Sequence, residues 1–454
     1  MSTTGQTGGA TRGVVDAVAS LPLHDLPADA ARVARHCLLD FLGCALAGSG
    51  EPLTGILVDE LAGGDVSAGG EAAVLGRRLR ARAVDAALVN GAAGHALDFD
   101  DTHLALSGHP TVPVAPAVLA VGERAGASGA EVLAAFVAGV ETECRIGLLV
   151  NPGHYASGFH ATATLGAFGA AAACAHLLDL DDDRRLHALG LAGTQAAGLK
   201  AVFGTMSKPL HAGRAAATGV LAASLAARGF TSSTGILEAP QGFAATHTDG
   251  PADPGVLAGA AGRFLVRDTL FKHHAACYLT HAAIEAALLI GREEQVRPAD
   301  VDGADVVVHR SCLDVCAIPE PRTGLEGKFS LRATVAMALL GDDTADPAAY
   351  TDDRMGAPDL VDIRDRVLVV PDGPLPATAA TVRVRTTDGR TVERGWDTGV
   401  PDTDLDLQGQ RLGAKFRALA VPVIGDDRAA EVLDMVERLS ELKAVADLTA
   451  ACQP

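Results

Sequence analysis

The chain has 454 residues, too long for one small domain and about right for two or three of roughly 100–200 residues each. With 48% apolar, 20% charged and only 4% aromatic residues it is neither disordered nor collagenous, and its cores must be filled by Ala, Val and Leu. A formal charge of -19, uninterrupted by any basic cluster, would repel a phosphate backbone or an anionic membrane, so nucleic acid and membrane are not expected partners.

Met1–Arg12 is polar and Gly/Thr-rich, lacks the basic start and apolar core of a signal peptide, and is expected to be a frayed tail. From Gly13 to about Phe264, Ala and Leu recur at three- and four-residue spacing between Gly and Pro clusters. The spacing predicts helices over Ala30–Leu46, Ala83–Ala96, Ala130–Leu148, Leu186–Ala197 and Ala212–Arg228. Small residues at so many helical positions let axes approach closely, giving an Ala-packed bundle. The longest stretch free of Asp, Glu, Lys and Arg, Ile146–Leu178, is broken by Pro152 and five Gly, and its second half reads as a buried helix rather than a membrane span.

Around Asp268 the pattern changes to Val alternating with polar residues. Strands are expected at Asp305–His309, Arg366–Val370 and Thr381–Arg394, the last containing the hairpin turn Thr386-Thr387-Asp388-Gly389. Helices at His281–Leu289 and Leu331–Leu340 lie among them, and helices return at Leu412–Leu419 and Ala429–Leu448. The fold expected is mostly α: a large all-helical domain, 1–267 plus 403–454, interrupted by a smaller α+β domain, 268–402, with an antiparallel sheet. A cleft between two such domains is a common place for a small-molecule site. The eight cysteines are mostly single and set among apolar neighbours, as in Cys44 and Cys174, which suggests reduced, buried thiols and a cytoplasmic protein.

Four segments concentrate chemistry. In 96–109, ALDFDDTHLALSGH, three Asp, one Thr and two His follow an apolar helix directly. Asp98 or Asp101 could simply cap the next turn. A carboxylate beside imidazoles can also orient a His and raise its basicity, as a general base requires; Asp98, Asp101, Thr102, His103 and His109 are the candidates. His160 heads an Ala/Thr/Gly helix just after Tyr155, where a lone His is commonly a satisfied core residue. Lys208-Pro209-Leu210-His211 begins another Ala-rich helix, so its ammonium and the helix amides could meet one anion. Finally, 271–281 packs Lys272, His273, His274, Cys277, Tyr278 and His281 together; Lys272 is a candidate carboxylate clamp, and Cys277 either pairs with a His or merely packs. No HExxH occurs, Cys312 and Cys316 lack a second pair, and the other cysteines are scattered, so neither metal nor cofactor is expected. Two lysines and about four histidines on an acidic chain point to a small anion, most plausibly a polycarboxylate.

These segments carry a resemblance. LDFDDTH…HP (97–110), GFHATATLGAFGAAAA (158–173), KPLHAG (208–213), the K…C…TH pattern (272–281) and KFSL (328–331) look like the MmgE/PrpD family over nearly the whole chain. The resemblance implies a helical domain interrupted by an α+β lid domain, assembly as a homodimer, and Asp98, Thr102, His109, His160, Lys208 and Lys272 as catalytic residues. His103, Tyr155, His211, His274, Cys277 and Tyr278 are the candidate substrate contacts. Cys277 stands where the family's decarboxylases carry a His, the loop from Thr102 to His109 is one residue longer, and no Pro follows Lys272. The family's reactions, dehydration, epimerisation and decarboxylation, share a carbanion or enediolate next to a carboxylate. In that chemistry Lys208 and Lys272 would hold charge, His109 or His160 would move a proton, and His103, His160 or Tyr155 would protonate a departing hydroxyl. The first expectation is a metal-free dehydratase of a hydroxylated di- or tricarboxylate such as 2-methylcitrate. The alternatives are an epimerase of an iminodisuccinate-like acid, a decarboxylase of cis-aconitate, and a carboxylate binder without turnover.

Overall fold

The computed structural model describes residues 9–62, 70–249 and 253–454. The chain divides into two units, Met1–Phe271 with Thr403–Pro454, and Lys272–Asp402. The first part of the larger unit supplies α1 (Ala10–Ala19), α2 (Ala28–Gly48), α3 (Pro52–Ala62), α4 (Ala83–Gly94), α5 (Thr111–Ala125), α6 (Gly129–Val150), α7 (Ala161–Leu177), α8 (Asp182–Gly193) and α9 (Ser207–Ala227). The stretch read as a buried helix is α7, whose Ala, Gly and Thr residues are buried from Ala161 to Ala171, with α5, α6 and α9 packed around it. Small side chains give little area each, but they let three neighbours pack on one axis.

The expected tail is corrected in part: residues 1–8 lie outside the described residues, while residues 10–12 form the first turn of α1. The helix expected at Leu186–Ala197 begins at Asp182, capped by the Asp181 side chain on the Arg184 amide, and ends at Gly193. The unit is also not wholly helical. Ala72–Val74 (β1) and Leu79–Ala81 (β2) form an antiparallel hairpin, held on the bundle by Asn90, whose side chain bonds Leu75 N–H and Ala73 C=O. Over 228–249 and 253–271 the described residues are mostly loops and short turns rather than helix.

The smaller unit contains α10 (Tyr278–Glu293), α11 (Leu331–Leu340) and four strands, β3 (Val301–Val308), β4 (Val367–Pro371), β5 (Ala379–Thr386) and β6 (Thr391–Asp397), in the order β4-β3-β5-β6. The β5–β6 hairpin turns at the expected residues. The antiparallel expectation fails at one pair: β3 and β4 run parallel, Val306 opposite Val369. The reason is the connection of more than fifty residues between them, which contains α11 and returns the chain in the same direction. The α10 helix covers β5 and β6, and α11 packs on α10 and β4.

Back in the larger unit, α12 (Leu405–Ile424) packs along α2, and α13 (Asp426–Glu437) follows. The helix expected over Ala429–Leu448 is two, α13 and Val445–Ala451. At the break Leu439 is buried, Leu442 C=O accepts the Gly129 N–H that opens α6, and Val445 N–H bonds Ala127 C=O. Among the described residues no single helix is long and apolar enough to cross a membrane.

Candidate active site

The α4 helix stops at Gly94 and His95 occupies its C-cap. The chain then turns through Asp98, whose backbone is in the left-handed region (φ 51°), a conformation Asp tolerates better than most residues. This turn delivers Asp98, Asp100 and Asp101 in different directions. The loop closes back at Gly108, where a Cβ would lie 2.9 Å from the Thr162 amide nitrogen, so only glycine fits against the start of α7. There the His109 N–H donates to Thr162 Oγ1 at 3.0 Å, and His160 is the N-cap residue of α7.

Within the larger unit these segments bring four histidines, two carboxylates and one ammonium together. His95 Nδ1–H donates to both Asp100 oxygens at 2.9 Å, and His109 Nδ1 lies 3.2 Å from the same carboxylate. His109 Nε2 is 3.6 Å from Asp98, which also receives Lys208 Nζ at 2.8 Å. The His95 ring lies 4.6 Å from that of His109 and stacks on that of His160 at 5.8 Å. His160 Nδ1 is 3.1 Å from His211 Nδ1, one donating and the other accepting, and Phe203 packs edge-on against His160. Lys208 and His211 lie three residues apart in the first turn of α9, hence on one face.

The electrostatics separate the roles. Burial opposes ionisation of Asp100, but the two adjacent imidazoles outweigh it and hold its carboxyl well below the usual range. Burial pushes His95 down to about 4 despite Asp100 and leaves it neutral; since Nδ1 carries the proton, its buried Nε2 is a bare acceptor, with no hydrogen-bond partner among the described residues. His160 is held well below its ordinary value by burial and then by His95, His109 and Lys208, and burial lowers His211 too. The site therefore contains an ionised carboxylate, an ammonium and the neutral imidazoles of His95, His160 and His211 side by side. Donor atoms of His95, Asp98, Asp100 and His109 lie within 4.8 Å of one another, a set that spacing rules do not reveal and that could by donor type hold a metal ion. Here the Lys208 ammonium pairs with Asp98, and the neutral His95 N–H donates a hydrogen bond to Asp100.

Other expected residues stand elsewhere. His103 is a loop-holding residue: its Nε2–H donates to Leu265 C=O at 2.9 Å while Nδ1 accepts from the Ala105 N–H, so neither nitrogen is offered to a ligand. Asp101 faces away from the cluster to Thr111, and burial, with Asp40 adding, raises it well above the usual carboxylate range. Thr102 pairs through its backbone with Leu270, and its Oγ1 is buried without a partner among the described residues. Tyr155 lies beneath Lys200 Nζ at 3.8 Å, its phenol raised by burial and by Asp98. In the smaller unit Lys272 is buried at its first position. His274 is bonded to Glu285 at 3.1 Å and Thr344 at 2.8 Å, Tyr278 OH donates to Thr398 C=O, and Cys277 N–H donates to Lys328 C=O. His95 and Asp100 were not singled out from the sequence. Their five-residue separation across a helix end was the available signal.

The MmgE/PrpD N-terminal domain matches residues 13–254, and the MmgE/PrpD C-terminal domain matches residues 274–441. A cis-aconitate decarboxylase of Aspergillus terreus is 28% identical, over 97% of this chain and 95% of its own. The cis-aconitate decarboxylase of Homo sapiens is 29% identical over 80% of this chain and 78% of its own. The cis-aconitate decarboxylase-like protein oryM of Aspergillus oryzae is 33% identical over 49% and 48%. With both domain matches in order along the chain, this protein belongs to the MmgE/PrpD family, a family of enzymes.

Proposed function

We propose that the protein is a lyase that decarboxylates cis-aconitate or a closely similar unsaturated tricarboxylate, without a metal. The observation that carries this reading is the Lys208–Asp98–His109–Asp100–His95 chain beside the neutral His160–His211 pair. The dehydratase expectation gives way because the relatives named above are decarboxylases or decarboxylase-like, and because His103, one of its expected hydroxyl-protonating acids, is committed to the backbone.

Decarboxylation breaks a C–C bond, releases CO2 and leaves an electron pair that spreads into a neighbouring carboxylate before a proton returns to carbon. Lys208 is the group to hold the growing negative charge, a contribution commonly about 3–4 kcal/mol per donor. Exchanging Asp98 for a substrate carboxylate keeps the Lys208 ammonium paired. His109, oriented by the ionised Asp100, or His160 moves the proton. Lys272 is assigned as a second carboxylate holder on the resemblance alone, as is assembly into a homodimer.

Proton NMR in D2O with cis-aconitate, citrate, 2-methylcitrate and iminodisuccinate tests the assignment. Loss of CO2 with deuterium in the product supports it. Loss of water from a hydroxy acid restores the dehydratase reading, and deuterium exchange without net change the epimerase; no change in any acid contradicts an active enzyme.

A further inference from the structure

Three thiols meet in the smaller unit that the chemistry above does not use. Cys312 lies in the short turn Arg310–Asp314, and Cys316 N–H donates back to Cys312 C=O at 2.7 Å. One segment, 328–331, then fixes two of the thiols from either end. Lys328 C=O accepts the Cys277 N–H at 2.9 Å, while the Leu331 N–H donates to Cys316 C=O at 3.1 Å, with Ala317 bridged to Ser330. The Cys277 and Cys316 side chains are in hydrogen-bond contact.

The two thiols differ in the way a reactive pair requires. Cys316 is buried and keeps its proton, first through the bond to Cys277 and then through burial. Cys277 is half-exposed where the other seven cysteines are buried, and it is the N-cap residue of the sixteen-residue α10, where the amide ends of a helix favour a thiolate. A half-exposed thiol at a helix N-terminus beside a buried thiol that can resolve it is the arrangement of redox-sensitive cysteines.

We propose that Cys277 and Cys316 form a modification site, converted by an oxidant of the peroxide class to a disulfide that ties the start of α10 to the 312–316 turn. The Cys277 thiol loses its proton and its sulfur attacks one peroxide oxygen, breaking the O–O bond; that oxygen stays on sulfur as a sulfenic acid, while the other leaves as hydroxide and takes up the released proton to become water. Cys316 gives up its proton and attacks that sulfur, displacing the hydroxyl as a second water. The two thiols lose two electrons and the peroxide gains them, and a dithiol reductant reverses the step.

The test is peptide mapping by mass spectrometry of the whole, folded protein after mild hydrogen peroxide, without reduction. The expected result is a Cys277–Cys316 linked peptide and a fall in free thiols from eight to six, restored by dithiothreitol. Cys316→Ser should instead leave Cys277 as a sulfenic acid trapped by dimedone, and Cys312→Ser should still form the link. Eight free thiols after treatment, or a Cys312–Cys316 link in place of Cys277–Cys316, overturns the proposal. The map of the unsubstituted protein decides even where a variant fails to fold, and its outcome is independent of which acid the enzyme takes.

Discussion

Asp100 and Glu143 are both buried carboxyl groups, and their surroundings send them in opposite directions. Asp100 has an imidazole on each side and stays ionised. Its replacement in Asp100→Asn keeps the shape but removes the charge that orients His95 and His109, and kcat should fall by about 100-fold or more with the fold retained, measured by initial rates alongside circular dichroism. Glu143 in α6 has no hydrogen-bond partner for either oxygen among the described residues, and burial, with Asp101 adding, raises it well above 4.5. The folded protein then holds a proton that the unfolded chain releases, so wild-type stability falls as pH rises from about 4.5 toward the folded value, by up to about 1.4 kcal/mol per pH unit. Glu143→Gln has no such proton, and its Tm relative to wild type should climb from pH 5 to pH 8; a constant difference would mean that Glu143 is ionised in the fold. The sequence displayed the Asp/His density of 98–109 but not its wiring. His95 was absorbed into a helix predicted as far as Ala96 that in fact ends at Gly94, and the division of labour between Asp100 and Asp101 depends on partners five to ten residues away.

At the scale of elements, two contacts place the site. Where α4 crosses α9, a Cβ on Gly213 would lie 2.1 Å from Leu88 C=O and one on Gly91 2.8 Å from the Gly213 Cα, so backbone meets backbone. This crossing fixes His95 at the end of α4 against Lys208 and His211 at the start of α9. Gly213→Ala should therefore cost about 1–3 kcal/mol and lower kcat together, read from denaturant unfolding and initial rates. Lys415 of α12, buried, bonds Asp40 of α2 at 2.6 Å and Phe99 C=O at 2.6 Å, clamping the 95–101 turn to the returning chain. Lys415→Met leaves Asp40 without its cation, and unfolding should show a loss of about 3–5 kcal/mol. Helix positions were legible because Ala and Leu periodicity survives burial on all sides. The parallel β3–β4 pair was not, since strand pattern carries no direction, and the break after α13 is set by its carbonyl contact with α6 rather than by a Gly or Pro.

For the whole molecule, order along the chain was the most readable property: a helical segment, an α+β insertion and a helical return are all present in the Val and Ala patterning, and both family domains match in that order. What patterning could not supply was the substrate, because dehydration, epimerisation and decarboxylation call for the same cations and imidazoles. The absence of metal-spaced motifs leads to a separate expectation, that dialysis against EDTA leaves the rate unchanged; loss of activity restored by a divalent ion would assign the His95–Asp98–Asp100–His109 donors to a metal instead. Stabilisation by this cluster of a carbanion next to a carboxylate is measured by CO2 release from saturating cis-aconitate, comparing the unsubstituted protein with Lys208→Met. Turnover by the first and a kcat lower by about 100-fold or more in the second, with folding retained, is the expected result. No CO2 from the unsubstituted protein, or an effect of Lys208→Met confined to KM, would contradict it.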